Sequence, residues 1–199
     1  MMLKGYLEEV QKVWKEMDEG PVEEMVRAFL KAYEEGRYIF FFGNGGSAAT
    51  ASHFCEDLGK GTLSGPGAGR RIKAISLTDN TPYITAWAND EGYEVVFEQQ
   101  LANLAEPGDL TVAISGSGNS LNVLKATDYA NRNDLFTIGM TGYDGGRLGK
   151  MVKLHIHVPS FDMGLVEGVH LLLVHYVIGK VKERMEERNN ARADGVCGD

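Results

Sequence analysis

Tyr38-Ile39-Phe40-Phe41-Phe42-Gly43-Asn44-Gly45-Gly46-Ser47 decides the fold. Five apolar residues run without a polar break and stop at a glycine. A strand wetted on one face would alternate, so a continuous run of this length fits a strand buried on both faces, as in a parallel sheet. The small residues that follow make a tight turn and open a helix carrying His53 and Asp57. The same order of strand, Gly/Ser loop and helix returns at 110–132. There Leu110-Thr111-Val112-Ala113-Ile114 leads into Ser115-Gly116-Ser117-Gly118-Asn119-Ser120 and a helical stretch. Further strand patterns lie at 72–76, 135–139 and 154–158, and a long helix is expected from about 164 to 187. Strands alternating with helices predict an α/β fold with a mainly parallel sheet.

Upstream, Leu3, Leu7, Val10, Trp14 and Met17 recur at helical spacing, and 21–35 repeats the pattern behind Pro21 at a helix start. Residues 1–36 are therefore read as a helical extension that the sheet does not require. Their apolar faces are expected to pack on the domain or on a neighbouring subunit. Residues 37–188 form the α/β domain, and 189–199 read as a polar tail.

The chain has 199 residues, of which 43% are hydrophobic and 24% charged, enough for one substantial core. The formal net charge is −8 and no basic face is evident, which excludes a nucleic-acid partner. No apolar run reaches the roughly 18 residues of a spanning helix. Met1-Met2-Leu3-Lys4 leads into an amphipathic stretch rather than a signal peptide. A cytoplasmic protein without membrane attachment is expected. Cys55 and Cys197 form no CxxC unit, consistent with a reducing compartment.

Gly43-x-Gly45-x-x-Ala48 imitates the dinucleotide fingerprint. That unit needs an acidic residue about 20 positions on, at the end of the next strand. Here the position falls in Gly61-Thr62-Leu63-Ser64-Gly65-Pro66, a loop. No GxxxxGK[ST] is present either, so no nucleotide cofactor is expected. In open parallel sheets ligands sit at the carboxyl ends of strands, where helix N-termini offer free amides. Ser115, Ser117, Ser120 and Asn119 can saturate phosphate oxygens without a lysine. Together the two loops predict a phosphate cradle, against the plainer reading that the glycines only make tight turns.

His53 and Asp57, spaced i, i+4, share one helix face and suit a metal or an acid/base pair. Glu56 points about 100° away. The final helix carries Glu167, His170 and His175. His175 lies among leucines and valines, which also fits a core histidine. Glu167 and His175 are separated by about 12 Å of helix rise, too far for one ion on a straight helix. Asn89-Asp90 reads either as a pair that orients sugar hydroxyls or as the cap of a helix beginning near Glu91.

Taken together, GNGGSA at 43–48, ASHF at 51–54, LTDNTPYITAWANDEGYEVVF at 77–97, ISGSGNSLNVLKA at 114–126, TIGMTGYDGG at 137–146 and VEGVHLLLVH at 166–175 give a specific pattern. The chain resembles the sugar isomerase (SIS) domain family, and within it the sedoheptulose 7-phosphate (phosphoheptose) isomerases, over nearly its whole length. The resemblance implies a three-layer α/β/α sandwich with a five-stranded parallel sheet, and a homotetramer with sites at subunit interfaces. It implies aldose–ketose isomerisation of sedoheptulose 7-phosphate through an enediol. Substrate would be held by Asn44, Gly45, Gly46, Ser47, Asn89, Asp90, Ser115, Ser117, Ser120 and Glu167. Asp57 and His175 would be catalytic, and zinc would be held by His53, Asp57, Glu167 and His175. Non-catalytic SIS proteins that bind a phosphosugar or a replication initiator, and isomerases of other sugar phosphates, share the fold. Three positions depart from the familiar pattern. Asp57 stands where a glutamate is usual, Glu167 where a glutamine is usual, and Gly116 where a threonine is usual.

Overall fold

The computed structural model describes residues 3–63 and 70–196. Five parallel strands form one sheet: β1 (Tyr38–Gly43), β2 (Lys73–Ser76), β3 (Leu110–Ser115), β4 (Phe136–Thr141) and β5 (Leu154–His157). Their spatial order is β2-β1-β3-β4-β5. Each lies within two residues of its expected position. The order reverses between β1 and β3, which pair from Ile39↔Leu110 to Gly43↔Ile114. This is the topological switch point, where a doubly wound sheet opens a crevice beyond its strand ends. The two Gly/Ser loops leave from those two strands.

The phenylalanine run shows why the sheet is buried on both sides. Phe41 joins a core shared with α2 (Gly20–Glu35), α3 (Gly46–Lys60) and α8 (Met163–Val196). Phe40 and Phe42 point the other way, into a second core with α5 (Glu98–Leu104) and α6 (Leu121–Arg132). In the first core Phe41 and Phe29 pack on Phe54, with ring centroids 4.9 and 5.5 Å away. Each of these buried aromatic side chains contributes roughly 2–3 kcal/mol of apolar burial. The result is the three-layer sandwich that the resemblance implied.

α1 (Leu3–Glu16) and α2 divide the N-terminal region unequally. α2 buries Val22, Met25, Val26, Phe29 and Leu30 against the sheet and α8. α1 buries only Val13 and leaves Leu3, Leu7 and Trp14 exposed. Two expectations need correction. Asn89 and Asp90 do not cap a helix that follows them: they end α4 (Thr81–Asp90), whose start is set by Asn80 accepting from the Tyr83 amide at 3.1 Å. Further, α8 does not stop near 187 but continues through Val196, into the stretch read as a tail; Cys197 lies outside the described residues. Within Met163–Asn190 one 18-residue window is apolar enough to cross a membrane by composition, but half of it is buried inside the protein, as in a core helix.

Candidate active site

Each Gly/Ser loop turns a strand end into a helix start. Gly45 precedes α3 with φ 55 and ψ −122 and supplies no side-chain cap. Ser120 precedes α6 without capping it; its hydroxyl lies 3.3 Å from that of Ser115 instead. Both helix N-termini thus keep their dipole ends directed at the crevice, a disposition that favours an anion. The second loop is held from within and from outside. The Gly118 amide donates to the Ser115 carbonyl at 2.9 Å, and Asn119 accepts from the Arg147 amide at 3.2 Å. Gly118 has φ 64, and a Cβ there would overlap the Gly145 carbonyl oxygen. Only glycine fits that position.

Between the loops lies a cavity of about 140 Å³, lined by Asn44, Ser47, Ser115, Ser117, Ser120 and Glu167 together with Ile114, Gly116 and Met163. Six of the expected substrate residues therefore share one small polar space. Gly45 and Gly46 border it through the turn. Asn89 and Asp90 do not line it: they are exposed on the last turn of α4 and bonded to each other at 2.7 Å.

Glu167 enters the cavity because Gly46 has no side chain. A Cβ on Gly46 would stand 2.6 Å from the carboxylate. The carboxylate therefore sits at the α3 N-terminus, where a negative charge is stabilised. A similar fit explains Gly116. A Cβ there would lie 2.5 Å from Met163 Sδ, so the thioether occupies the room that a threonine would need.

A second cluster lies two turns further along α3 and α8, which pack side by side. His53 Nε2 is 3.2 Å from Asp57 Oδ2, and His175 Nδ1 is 3.7 Å from the same oxygen. The imidazoles meet edge to face at 4.9 Å. One ligand atom from each residue lies within 4.8 Å of the others, a spacing suited to a metal ion. The expected metal set loses one member within the chain, for Glu167 is not part of this group. Its eight-residue separation from His175 on a continuous helix keeps it in the loop cavity. Glu56 faces Lys60 instead, at 3.8 Å.

The two histidines of α8 exchange the burial their neighbours suggest. The His175 side chain is 54% exposed, whereas His170 is 1% exposed. His170 Nε2–H donates to the Thr141 carbonyl at 3.2 Å. Burial pushes its pKa down to about 4, only partly opposed by that bond, so it is neutral near pH 7 and pins α8 to the end of β4. Cys55, next to the cluster on α3, is pushed up to about 11 by burial and stays a thiol. Three residues that the sequence reading passed over also bear on the site. Asn122 and Tyr93 bond to Asn44, and Ser52 ties α3 to Thr78 at 2.9 Å and to the Asp79 carboxylate. None of them carries a spacing signal.

A doubly wound α/β protein with a hydroxyl-lined cavity at its switch point belongs to the class of α/β domains that bind small molecules beyond their strand ends. Comparisons with known proteins narrow this. The SIS domain family model matches residues 5–142. The phosphoheptose isomerase of Aliarcobacter butzleri is 38% identical over 173 residues, covering 87% of this chain and 89% of that protein. That of Trichlorobacter lovleyi is 35% identical over 182 residues, covering 91% and 90%. The solved structure of phosphoheptose isomerase from Neisseria gonorrhoeae superposes with a TM-score of 0.82 at 31% identity, covering 91% of this chain and 97% of that one. The chain belongs to the SIS domain family, and within it to the phosphoheptose isomerases.

Proposed function

We propose that this chain is an aldose–ketose isomerase that converts sedoheptulose 7-phosphate to D-glycero-D-manno-heptose 7-phosphate. The observation that carries this reading is the convergence of His53, Asp57 and His175 from two helices of a phosphoheptose isomerase fold. A pure binding module has no need of two imidazoles around one carboxylate.

The second loop holds the phosphate through Ser115, Ser117 and Ser120. The first loop, with Asn44 to Ser47, holds the sugar, and Glu167 accepts from its hydroxyls. Asn89 and Asp90 contribute from outside the cavity. In the reaction a base takes a proton from C1, beside the C2 carbonyl, and an enediol forms. A proton then returns to C2, and the hydroxyl proton passes from O1 to O2. Asp57 Oδ2 faces both imidazoles, which leaves its other oxygen to take the carbon-bound proton. His175 Nδ1 faces Asp57, which leaves Nε2 to serve the oxygens. An imidazole has two ring nitrogens and can both give and take a proton.

Two imidazoles and a carboxylate fit zinc with an open position, so His53, Asp57 and His175 would be its ligands. Bound there, zinc would polarise the sugar oxygens as a Lewis acid. Asp57 is about one methylene shorter than the usual glutamate, a displacement of the kind that can change rates about 100-fold unless compensated.

The cluster is exposed in the single chain, and so are Leu171, Leu172 and Tyr176 on α8 and Leu3, Leu7 and Trp14 on α1. These support a homotetramer whose subunit contacts close the site. The test is incubation with sedoheptulose 7-phosphate, with and without zinc, followed by NMR for the aldoheptose phosphate. Absence of turnover under both conditions sinks the assignment.

A further inference from the structure

Asn44 and Ser47 of the first loop line the cavity, and the Asn44 amide is already engaged. Its Nδ2 donates to Asn122 Oδ1 at 2.8 Å, and its Oδ1 accepts from Asn122 Nδ2 at 2.8 Å. The two amides form a closed ring that joins the loop after β1 to the helix after β3, across the switch point. The orientation of the ring is determined by a third partner. Asn122 Oδ1 also accepts from the Val123 amide at 2.9 Å, and a backbone N–H can only donate. Asn122 must therefore turn its oxygen that way, and Asn44 has one permitted orientation. The Tyr93 hydroxyl, 2.9 Å from Asn44 Oδ1, then has to be the donor. With both lone pairs of Oδ1 taken, Asn44 has one free N–H to offer, so it meets a ligand as a donor.

We infer that Asn122 is a positioning residue. It holds Asn44 as an N–H donor toward an acceptor oxygen of the ligand, a phosphate or carbonyl oxygen, with Tyr93 as the outer support. Asn122 is 3% exposed and does not line the cavity, so it acts only through Asn44. The two amides satisfy each other's facing atoms, and a one-atom change at the buried Asn122 is costly. This inference rests on the reading of the cavity as the substrate site.

Asn122→Asp tests it with almost no change in shape. The introduced carboxylate still accepts from Val123 and from Asn44 but has lost the donor, so an oxygen faces Asn44 Oδ1. At pH 8 the expected result is a loss of kcat/KM for sedoheptulose 7-phosphate of about tenfold or more, with a matching loss of affinity by calorimetry. Burial and the facing Asn44 oxygen both disfavour a charged carboxylate at this position, so lowering the pH toward 6 is expected to return a proton to the introduced group and restore an O–H donor. The variant-to-wild-type ratio should then rise severalfold, which simple loss of packing would not produce. Glu167 on α8 and the Glu94–Lys125 pair are present in both proteins and cancel in that ratio. Tyr93→Phe, at an exposed ring, keeps the fold and is expected to cost about two- to fivefold in the same parameter. Wild-type values of kcat/KM and affinity in a folded Asn122→Asp, or a ratio that is flat with pH, overturn the inference. A wild type that binds the sugar phosphate without converting it refutes the proposed reaction alone, and weakened binding in the variant then still supports the positioning role. A wild type that neither binds nor converts it overturns both.

Discussion

The loop cavity and the His53–Asp57–His175 cluster sit two helical turns apart on the same pair of helices, and they are built in opposite ways. The cavity is tied down by hydrogen bonds within the chain. Ser115 is 5% exposed, Asn44 is bonded on both amide atoms, and the second loop is held by backbone donors from the loop after β4. The cluster is open, with side-chain exposures of 40% for His53 and 54% for His175. Holding an anion needs preorganised donors, which one chain supplies. Moving protons between carbon and oxygen needs a dry space around the acid and base, which a single chain leaves open.

The sharpest way to break this contrast is to remove the open cluster's chemistry. His175→Ala and Asp57→Asn are each expected to lower kcat by about a thousandfold, with KM within about threefold and an unchanged melting temperature. A KM effect that dominates in steady-state kinetics would move these residues into the binding half of the site.

The tied-down half responds in stability. Gly118→Ala forces a side chain onto φ 64 and into the Gly145 carbonyl, at a cost of about 2–4 kcal/mol in chemical denaturation. A comparable loss from Gly45→Ala is not expected, because open space surrounds that position and only its φ of 55 penalises the change. If the two glycines cost the same, backbone conformation rather than crowding controls the loops.

His170 connects the halves, since it anchors the helix that carries both Glu167 and His175. Its pKa is depressed from 6.5 to about 4, so between those values the unfolded chain binds more protons than the folded one. Stability is therefore full above pH 6.5 and falls as the pH drops toward 4, by roughly 3 kcal/mol. Melting curves across this window should show the loss, and His170→Phe should remove that component of it. A wild-type melting temperature that is flat from pH 7 to 4.5 would contradict a buried neutral imidazole.

The smallest effect belongs to Glu167→Gln. Removing a negative charge from the cavity is expected to lower KM for the sugar phosphate about two- to fivefold, and the effect should shrink with added salt. A raised KM would mean that the carboxylate contributes more as an acceptor for sugar hydroxyls than it costs in repulsion of the phosphate.

Much of the molecule was legible in the chain. Short apolar-rich runs between turn and helix patterns located all five strands, and the unbroken run at 38–42 marked one buried on both faces, where polar residues have little room. The two loops announced themselves by composition, since backbone turns and anion sites both select glycine and serine. The i, i+4 spacing placed His53 and Asp57 together, because a helix fixes that geometry locally. The helix 81–90 was missed because its start signal, Asn80 and Pro82, lies well upstream of the Asn89-Asp90 pair that drew the reading. The burial of His170 rather than His175 was missed because both stand among leucines, and the choice depends on which face of α8 meets the sheet.

The sequence by itself determined the elements, the loops and the chemistry available on each helix, for these are local properties of spacing and side-chain type. Only the tertiary structure decided which of them meet. It brought His175 onto Asp57, kept Glu167 two turns away beside Gly46, seated Met163 over Gly116, and closed the Asn44–Asn122 ring across 78 residues of chain. Such contacts arise where separate elements pack, and packing depends on the whole core rather than on any local stretch.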